Sequence, residues 1–495
     1  MKKYILAIDQ GTTSTRAILF DVESNIIATA QKDCENYYPH PGWVEQNANM
    51  IYSSTLGVMM EVVANANCTF EDIAGIGITN QRETTIIWDK KTGQPVHFAI
   101  VWQSRQSDSY CQEMKDKGLE KLFYEKTGLV LDPYFSASKI RYILDHIENG
   151  QERAEAGELC FGTVDSFLVW KLSGGLLHVS DVSNASRTLL MNLETLDYDD
   201  ELCKLWNIPR CLLPTITDSS KVYGTTQSGL LGNCEIPIAS MVGDQQAALF
   251  GQTCFEEGSV KNTYGTGCFL LMNTGNQVIH SKNGLLSCVG WKIGDEVNYV
   301  LEGSVFIAGA AIQWLRDGLK IINNSNETNQ RANSVESSDG VYVVPTFTGC
   351  GAPYWKPQVK GAMFGLTRGT TQDHIIRATL ESLAYQTNDV LEAMQHDAGI
   401  KLKRIQVDGG ASKNDYLMQF QSDISSCLVS RSLISETTAL GAAYLAGLAV
   451  GFWKDRNEIR QNYKVGNQFS PMMNEKEKEE LLEGWKRAIQ ATIMF

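Results

Sequence analysis

The sequence has no zinc-type cysteine spacing, and its first residues do not have the pattern of a secretory leader. Its twelve cysteines are scattered singly from Cys34 to Cys427, without a C-x-x-C pair or a cluster of cysteine and histidine. This distribution argues against a structural metal site. Near the N-terminus, Tyr4–Ile8 is the only apolar run before Asp9, and it is too short for a leader. We therefore predict reduced thiols and a cytoplasmic protein.

A long apolar run and an excess of positive charge are also missing. The longest apolar stretch, Ala439–Trp453, is short for a membrane span and contains Gly441, Gly447 and Gly451. It is typical of a small-residue helix packed inside a domain. The formal net charge of −14 argues against a general nucleic-acid or anionic-membrane binder. We expect no nucleic-acid partner and no stable membrane insertion.

The length and composition indicate a globular protein with more than one core. A chain of 495 residues is too long for a single ordinary core, so we expect two large domains. The hydrophobic content of 43% and the charged content of 20% are those of a globular chain. Because the net charge is negative, an anionic nucleotide would need local basic groups and amide donors.

The opening segment Tyr4–Phe20 offers such donors. An apolar run ends in Asp9, and Gly11, four hydroxyl residues, Arg16 and a second apolar run follow. This pattern predicts a strand, a turn and a second strand. The turn amides and hydroxyls could bind phosphate oxygens, and Arg16 adds a positive charge suited to them. Asp9 is placed to hold Mg²⁺ through its water shell.

The alternative for this segment is an ordinary polar hairpin in which Asp9 bonds to the turn backbone. It is not a Walker A loop, because no Gly-Lys-Ser/Thr follows and the segment continues as a strand. The segment Gly258–Leu271 repeats the pattern around Gly265-Thr266-Gly267. The repetition suggests two related halves. Two such hairpins that face each other across a cleft are the arrangement of actin-like ATPases.

Polar side chains follow several predicted strands. Ile73–Thr79 is a short buried strand that runs into Arg82 and Glu83. Strand ends of this kind carry ligand contacts in α/β proteins, and a neighbouring donor and acceptor suit a polyhydroxyl compound. A surface ion pair is the alternative. Trp102 could stack on a carbon chain or pack in the core. The Asp132–Phe135 turn carries two aromatic side chains.

Three further segments could bind a ligand or could have a purely structural role. Asp244 begins a small-residue helix, either as its cap or as a base at a domain junction. A helix is predicted over 304–315, where Gly309-Ala310-Ala311 would let a flat group lie near the backbone. The strand that ends in Asp408-Gly409-Gly410 precedes a helix, an arrangement typical of nucleotide-binding sites. Gly410 would permit close approach of a nucleotide, and Asn414 could hydrogen-bond to it. A tight turn is the alternative there.

Taken in order, five motifs resemble one family. The chain is similar to the FGGY carbohydrate kinases over nearly its whole length. Two of the motifs, Asn80–Thr85 and Asp132–Phe135, resemble the members that act on glycerol rather than on xylulose or gluconate. The five motifs are Asp9–Ser14, Asn80–Thr85, Asp132–Phe135, Gly243–Gln246 and Asp408–Gly410.

The resemblance implies an α/β fold with two actin-like, ribonuclease H-like domains that flank a catalytic cleft. We expect an N-terminal domain over 1–251 for the polyol and the phosphates, and a C-terminal domain over 252–495 for the nucleotide. The implied reaction is Mg²⁺-dependent transfer of the ATP γ-phosphoryl group to a terminal hydroxyl of glycerol. The implied assembly is a homodimer or homotetramer.

The resemblance also implies roles for individual residues. Asp244 would act as the base, and Asp9 would lie near Mg²⁺. The residues implied to bind the polyol are Arg82, Glu83, Trp102, Tyr134, Asp244, Gln245 and Phe269. Those implied to bind ATP or ADP are Thr12, Thr13, Ser14, Arg16, Thr266, Gly309, Gln313, Gly410 and Asn414.

Two other functions stay open at this stage. One is a kinase for another polyol or a ketose. The other is a non-catalytic actin-like nucleotide-binding protein, which would need the phosphate turns alone. The joint presence of Arg82, Glu83, Tyr134 and Asp244 disfavours the second.

Overall fold

The protein folds around two mixed β-sheets, one in each half of the chain. The computed structural model describes residues 2–356 and 358–495. The N-terminal sheet has six strands, in the spatial order Ser220–Thr225, Pro237–Gly243, Ile73–Asn80, Tyr4–Gln10, Ser14–Phe20 and Ile26–Asp33. The C-terminal sheet has seven, in the order Leu286–Ile293, Glu296–Val305, Cys268–Asn273, Ser259–Tyr264, Arg404–Asp408, Leu428–Ser432 and Val465–Phe469.

The two sheets share one topology. In the N-terminal sheet, Tyr4–Gln10 pairs antiparallel with Ser14–Phe20 and parallel with Ile73–Asn80. In the C-terminal sheet, Ser259–Tyr264 pairs antiparallel with Cys268–Asn273 and parallel with Arg404–Asp408. The predicted strand, turn and strand is therefore present in both halves. Apolar runs such as Ile5–Ile8 are fully buried, as expected for central strands covered on both faces.

Helices cover the faces of both sheets. The α-helices span Ala48–Asn65, Asp108–Asp116, Glu120–Thr127, Ser136–His146, Gly150–Glu155, Val164–Leu172, Val182–Ala185, Asp200–Leu205, Asp244–Gly251, Gly309–Asp317, Glu327–Ala332, Gln372–Ala398, Asp415–Ser425, Thr437–Val450, Arg456–Asn462 and Glu475–Met494. Short 3-10 turns span Phe70–Asp72, Arg210–Leu212 and Gly410–Lys413. Within the described residues, no helix combines the length and apolarity needed to cross a membrane.

Among the residues that the structure describes, five two-stranded ribbons complete the secondary structure. They pair Glu45–Gln46 with Ala99–Ile100, Ile86–Asp89 with Leu159–Gly162, Val179–Asp181 with Thr215–Thr217, Met191–Asn192 with Asp197–Tyr198, and Tyr342–Val344 with Ala362–Phe364.

The small-residue helix Thr437–Val450 joins the two halves. Although it lies in the chain between the last two strands of the C-terminal sheet, it packs on the N-terminal sheet and on the helix Asp244–Gly251. The Ser240 hydroxyl donates to the Ala442 carbonyl at 2.7 Å, and the Ser220 hydroxyl donates to the Leu445 carbonyl at 2.7 Å. Glycine and alanine let the two backbones approach this closely. The predicted packed helix in this apolar stretch is confirmed.

We expect Gly441→Ala to destabilise the protein by about 1–3 kcal/mol. A Cβ atom at Gly441 would lie 1.9 Å from the Ala247 carbonyl oxygen, so the two helices would have to move apart. Gly57→Ala is the matched control, since Gly57 also lies inside a helix but its Cβ would meet only the flexible end of Lys32. There the gain in helix propensity should stabilise the protein by up to about 1 kcal/mol. Urea unfolding of both variants measures the difference, and equal effects would contradict the packing argument.

The helix predicted over 304–315 is wrong in its first part. The strand Glu296–Val305 continues through Ser304 and Val305, and the helix begins at Gly309 and ends at Asp317. Ser304 pairs with Phe269 and Val305 with Cys268, so the sheet ladder holds these residues as a strand. Gly309 keeps its predicted place at the start of the helix.

Candidate active site

The strands of the N-terminal sheet place the polar motifs side by side. Tyr4–Gln10, Ile73–Asn80 and Pro237–Gly243 run parallel and adjacent, so the segments after their carboxyl ends lie at one edge of the sheet. The segments with Arg82 and Asp244 begin there. Sequence positions more than 160 residues apart are thereby brought together: Arg82 Nη1 donates to Gln246 Oε1 at 3.1 Å.

The two hairpin turns present hydroxyl groups toward solvent. In the first turn the Gly11 N–H donates to the Ser14 carbonyl at 2.9 Å, and Thr13 is exposed. Ser14 itself is buried, and the Thr12 hydroxyl accepts a hydrogen bond from Trp102 Nε1 at 2.9 Å. Trp102 is therefore tied to the first hairpin turn.

The second turn is closed by the start of a helix. The Gly265 N–H donates to the Gly267 carbonyl at 2.9 Å, and Thr266 is exposed. The Gly309 N–H donates to the Gly265 carbonyl at 3.0 Å. A Cβ at Gly309 would lie 2.5 Å from that oxygen, so only glycine lets the helix dock on the turn. Gln313 is exposed one helical turn further on.

In the Asp408–Gly410 segment, the glycine that the packing requires is Gly409. Its φ is +86°, and a Cβ there would lie 2.4 Å from the Tyr264 carbonyl oxygen. Gly410, by contrast, has open space around it, which leaves room for a ligand. Asn414 caps the helix Asp415–Ser425: its Oδ1 accepts from the Leu417 N–H at 3.0 Å.

Arg16 is shared between the two halves. Its Nη1 donates to Glu436 Oε2 at 2.7 Å, and its Nε donates to Gln31 Oε1 at 2.8 Å. Glu436 immediately precedes the helix that joins the halves. Burial raises the pKa of Asp9 to about 7, against the neighbouring charge of Arg16. Glu436 is a residue that the sequence analysis missed.

The residues at Asp9 fit a magnesium ion that keeps most of its water ligands. Among the described residues, no three His, Cys, Asp or Glu side chains cluster as a complete metal cage. Mg²⁺ in phosphoryl-transfer sites keeps several waters and is held by one or two carboxylates together with substrate phosphates. The single carboxylate of Asp9, at the end of its strand beside a hydroxyl turn, is an oxygen donor of this type.

Arg82 is the centre of a buried charge cluster. Its Nη1 and Nη2 donate to the two carboxylate oxygens of Glu302 at 2.6 and 2.9 Å, and its Nε lies 3.3 Å from Asp244 Oδ1. With the bond to Gln246, four of its five N–H groups face an acceptor. One Nη2 hydrogen is left. The guanidinium is thereby held in one orientation.

Arg187 forms the second cation of the cluster. Its Nε donates to Glu83 Oε1 at 2.5 Å, and its Nη2 lies 3.4 Å from Glu302 Oε1. Burial raises the pKa of Glu83 in spite of the two arginines. Burial also opposes the charge of Glu302, but Arg187 and Arg82 outweigh it and lower the pKa of Glu302 to about 2. Glu302 is therefore a carboxylate at neutral pH.

Asp244 presents one fixed oxygen and one free oxygen. It is the first residue of the helix Asp244–Gly251, and Gly243 occupies the cap position, so the alternative in which Asp244 is the helix cap is wrong. Its Oδ1 accepts from the Gln245 N–H at 2.7 Å and faces Arg82 Nε. In the part of the chain that the structure describes, Oδ2 receives no hydrogen bond from protein. The side chain is 31% exposed, so Oδ2 is accessible.

Aromatic side chains stand beside the charge cluster. The rings of Trp102 and Tyr134 meet edge to face at a centroid distance of 5.4 Å, and Arg187 lies over the Tyr134 ring at 5.2 Å. Buried Lys139 fixes the turn that carries Tyr134, because its ammonium donates to the carbonyls of residues 133, 134 and 135 at 2.6, 2.6 and 3.1 Å. Phe269 is half-buried on the C-terminal sheet.

Besides Glu436, four charged residues of the site were missed from the sequence: Arg187, Lys139, Glu302 and Lys261. Two of them left a signal. Glu302 follows the apolar run Tyr299–Leu301, and Lys261 follows Val260 inside a predicted strand. A charge inside an apolar run is costly to bury without a partner, so it marks a place where oppositely charged groups converge. For Arg187 and Lys139 the sequence has no comparable signal.

Two ribonuclease H-like sheets that each carry a hydroxyl-bearing hairpin turn, with a carboxylate and a buried polar cluster where they meet, define an ATP-dependent phosphotransferase of the actin-like fold. Comparison with known families narrows this class. The model of the N-terminal domain of the FGGY family of carbohydrate kinases matches residues 4–251, and that of the C-terminal domain matches residues 260–450. The chain belongs to the FGGY family of carbohydrate kinases.

Individual relatives agree with this assignment over the full chain. Glycerol kinases of Bacillus licheniformis and Bacillus subtilis (strain 168) are 58% and 56% identical over 495 residues, 100% of this chain and of each relative. The crystal structure of Plasmodium falciparum glycerol kinase with ADP matches with a TM-score of 0.94 at 36% identity, covering 99% of this chain and 98% of that one. The predicted fold class and family are confirmed.

Proposed function

We propose that the protein is a glycerol kinase that transfers the γ-phosphoryl group of ATP to a terminal hydroxyl of glycerol, giving sn-glycerol 3-phosphate and ADP. The predicted enzyme class is confirmed by full-length relatives at 56–58% identity. The observation that supports the chemistry is Asp244, whose Oδ1 is anchored by Arg82 and the Gln245 N–H while Oδ2 stays free.

Asp244 serves as the base. Its anchored carboxylate accepts the proton of the attacking hydroxyl on Oδ2 as the bond to phosphorus forms. Phosphoryl transfer depends mainly on positioning and charge neutralisation, and a carboxylate that orients the hydroxyl is its usual protein contribution.

The polyol is held by matched donors and acceptors. Arg82 offers its remaining N–H, Glu83 offers carboxylate oxygen, and Gln245 offers an amide. Trp102, Tyr134 and Phe269 flank the carbon chain. Glycerol carries no charge, so recognition rests on hydroxyl groups, and such sites reject analogues that lack one by roughly 10⁴-fold.

The nucleotide lies between the two hairpin turns. Thr12, Thr13, Ser14, Arg16 and Thr266 bind its phosphates, and Asp9 holds Mg²⁺, which neutralises phosphate charge when bound. The remainder of the nucleotide contacts Gly309, Gln313, Gly410 and Asn414. We assign residues 1–251 to the domain that binds polyol and phosphates and residues 252–495 to the domain that binds nucleotide. The relative crystallised with ADP supports a nucleotide ligand.

Two further expectations belong to this proposal. The enzyme needs ATP as a substrate, and its cysteines are free, so we expect it in the cytoplasm. The family resemblance favours a homodimer or homotetramer, which light scattering on the purified protein would test.

The experiment that tests the function is release of ADP by the purified protein with glycerol, dihydroxyacetone, xylulose or ribulose as acceptor. We expect glycerol to give the highest kcat/KM. Preference for a ketose would assign the protein to another carbohydrate-kinase activity. Binding of ADP without turnover of any acceptor would favour a non-catalytic nucleotide-binding protein.

A further inference from the structure

Lys261 is a buried lysine whose ammonium faces the polyol side of the site. It lies in the strand Ser259–Tyr264 of the C-terminal sheet and is fully buried. Its Nζ donates to Gln245 Oε1 at 2.5 Å and to the Thr263 hydroxyl at 3.1 Å. Burial lowers the pKa of Lys261 to about 8, against the carboxylates of Asp408, Asp244 and Glu302, which favour its charged form.

This contact determines which way the Gln245 amide points. An ammonium has only donors, so the atom of Gln245 that faces it must be the carbonyl oxygen. Nε2 must then point to the opposite side. Within the described residues, Nε2 of Gln245 donates to no protein acceptor, and the side chain is partly exposed. Gln245 therefore presents a pair of N–H donors next to the acceptor that the adjacent Asp244 presents.

We propose that Lys261 is a specificity-determining positioning residue: by holding Gln245 Oε1 it makes Gln245 a fixed hydrogen-bond donor to one hydroxyl oxygen of the polyol. The inference rests on the proposed function. Lys261 does not touch the substrate itself and acts through Gln245. Because it comes from the C-terminal sheet while Gln245 comes from the N-terminal half, the donor is set only when the two halves are together.

The charge balance of the site supports a charged Lys261. Arg82, Arg187 and Lys261 supply three cations, and the carboxylates around them are those of Glu83, Glu302, Asp244 and Asp408. Buried charges are tolerated when they are paired in this way. A neutral lysine would add one to the excess of negative charge beside the base.

The test compares Lys261→Met with wild type on glycerol, 1,2-propanediol and 1,3-propanediol, two diols that each lack one glycerol hydroxyl. We expect kcat/KM for glycerol to fall about tenfold, the value of one lost hydrogen bond, while KM for ATP stays within about twofold. The diol that lacks the hydroxyl bound by Gln245 never made this contact, so its kcat/KM should fall much less. Discrimination against that diol should shrink accordingly.

A double-mutant cycle with Gln245→Leu isolates the route of the effect. If Lys261 acts through Gln245, then Lys261→Met should change nothing further in the Gln245→Leu background. Three outcomes would overturn the inference: equal losses on all three alcohols, a large rise in KM for ATP, or full additivity with Gln245→Leu. A large rise in KM for ATP would mean that Lys261 contacts the phosphate.

Two controls keep the test decisive. Gln245→Leu alone, with Lys261 intact, should show the same selective loss, and a uniform loss would count against the proposal even if Lys261→Met does not fold. Lys261→Gln, which keeps a polar group without the charge, should give the same selective loss of kcat/KM for glycerol, but a smaller one. If the wild-type protein phosphorylates none of the alcohols, the proposed function fails. If it phosphorylates glycerol and the variants lose activity uniformly, only the inference about Lys261 fails.

Discussion

Asp244→Asn is expected to reduce the rate of phosphoryl transfer to glycerol by about 10²–10⁴-fold, the range for loss of a general base. An amide cannot accept the hydroxyl proton. The substitution should keep the local structure, because the asparagine Oδ1 can still accept from the Gln245 N–H and face Arg82. Binding of ADP should therefore be close to that of wild type. Steady-state ADP release and calorimetric titration with ADP measure the two quantities.

Asp108→Asn is the matched control for this variant. Asp108 is also the first residue of a helix, and it also faces an arginine, since Arg105 Nη2 lies 3.2 Å from its Oδ1. Its carboxylate is 59% exposed and lies outside the site. We expect unchanged turnover there. If Asp244→Asn turned over as fast as Asp108→Asn, Asp244 would be no more than a residue that stabilises the start of a helix.

The hairpins and strand ends were predictable because their signals are local. An apolar run that ends in Asp9 and resumes after Arg16 specifies a strand, a turn and a strand within 17 residues. Its repetition around Gly265-Thr266-Gly267 specified the second sheet. Polar residues directly after the strand that ends at Asn80 likewise predicted a site, since parallel strands end together at one edge of a sheet.

The charge cluster was not predictable because its partners come from distant parts of the chain. Arg82 is separated from Glu302 by 220 positions, and Glu83 is separated from Arg187 by 104. Without the fold, the adjacent Arg82 and Glu83 could equally have been a surface ion pair. In the structure they are only 3.8 Å apart at their closest charged atoms, yet each is turned mainly toward another residue. Local spacing therefore identified the residues but not their partners.

The same limit explains the error at residues 304–308. The apolar and small residues of this segment suit a helix, but Ser304 and Val305 are paired with the hairpin strand Cys268–Asn273. Tertiary pairing overrode the local preference. The same strand carries Glu302 into the site, since Glu302 pairs with Leu271 of that hairpin strand.

Glu302→Gln is expected to lower the free energy of unfolding by about 3–5 kcal/mol, because it leaves two buried guanidinium groups short of one carboxylate. Both side chains of the Arg82–Glu302 pair are buried, at 2% and 0% exposure. Arg82 would also lose its two-point anchor. A shift of its remaining N–H by about 1 Å should reduce kcat/KM for glycerol by roughly 10²-fold. Urea unfolding and steady-state kinetics measure the two effects.

Glu296→Gln is the control that separates burial from pairing. Glu296 lies on the same strand and also receives two hydrogen bonds from one arginine, with Arg456 Nη1 and Nη2 donating at 2.7 Å each. These side chains are 35% and 45% exposed, so water replaces the lost contacts and we expect a change of at most about 1 kcal/mol with unaltered kinetics. Similar losses of unfolding free energy in both variants would mean that burial does not increase the contribution of Glu302 to stability. A stable Glu302→Gln variant with normal kinetics would show that Arg82 is held by Asp244 and Gln246 alone, and that the C-terminal sheet does not orient it.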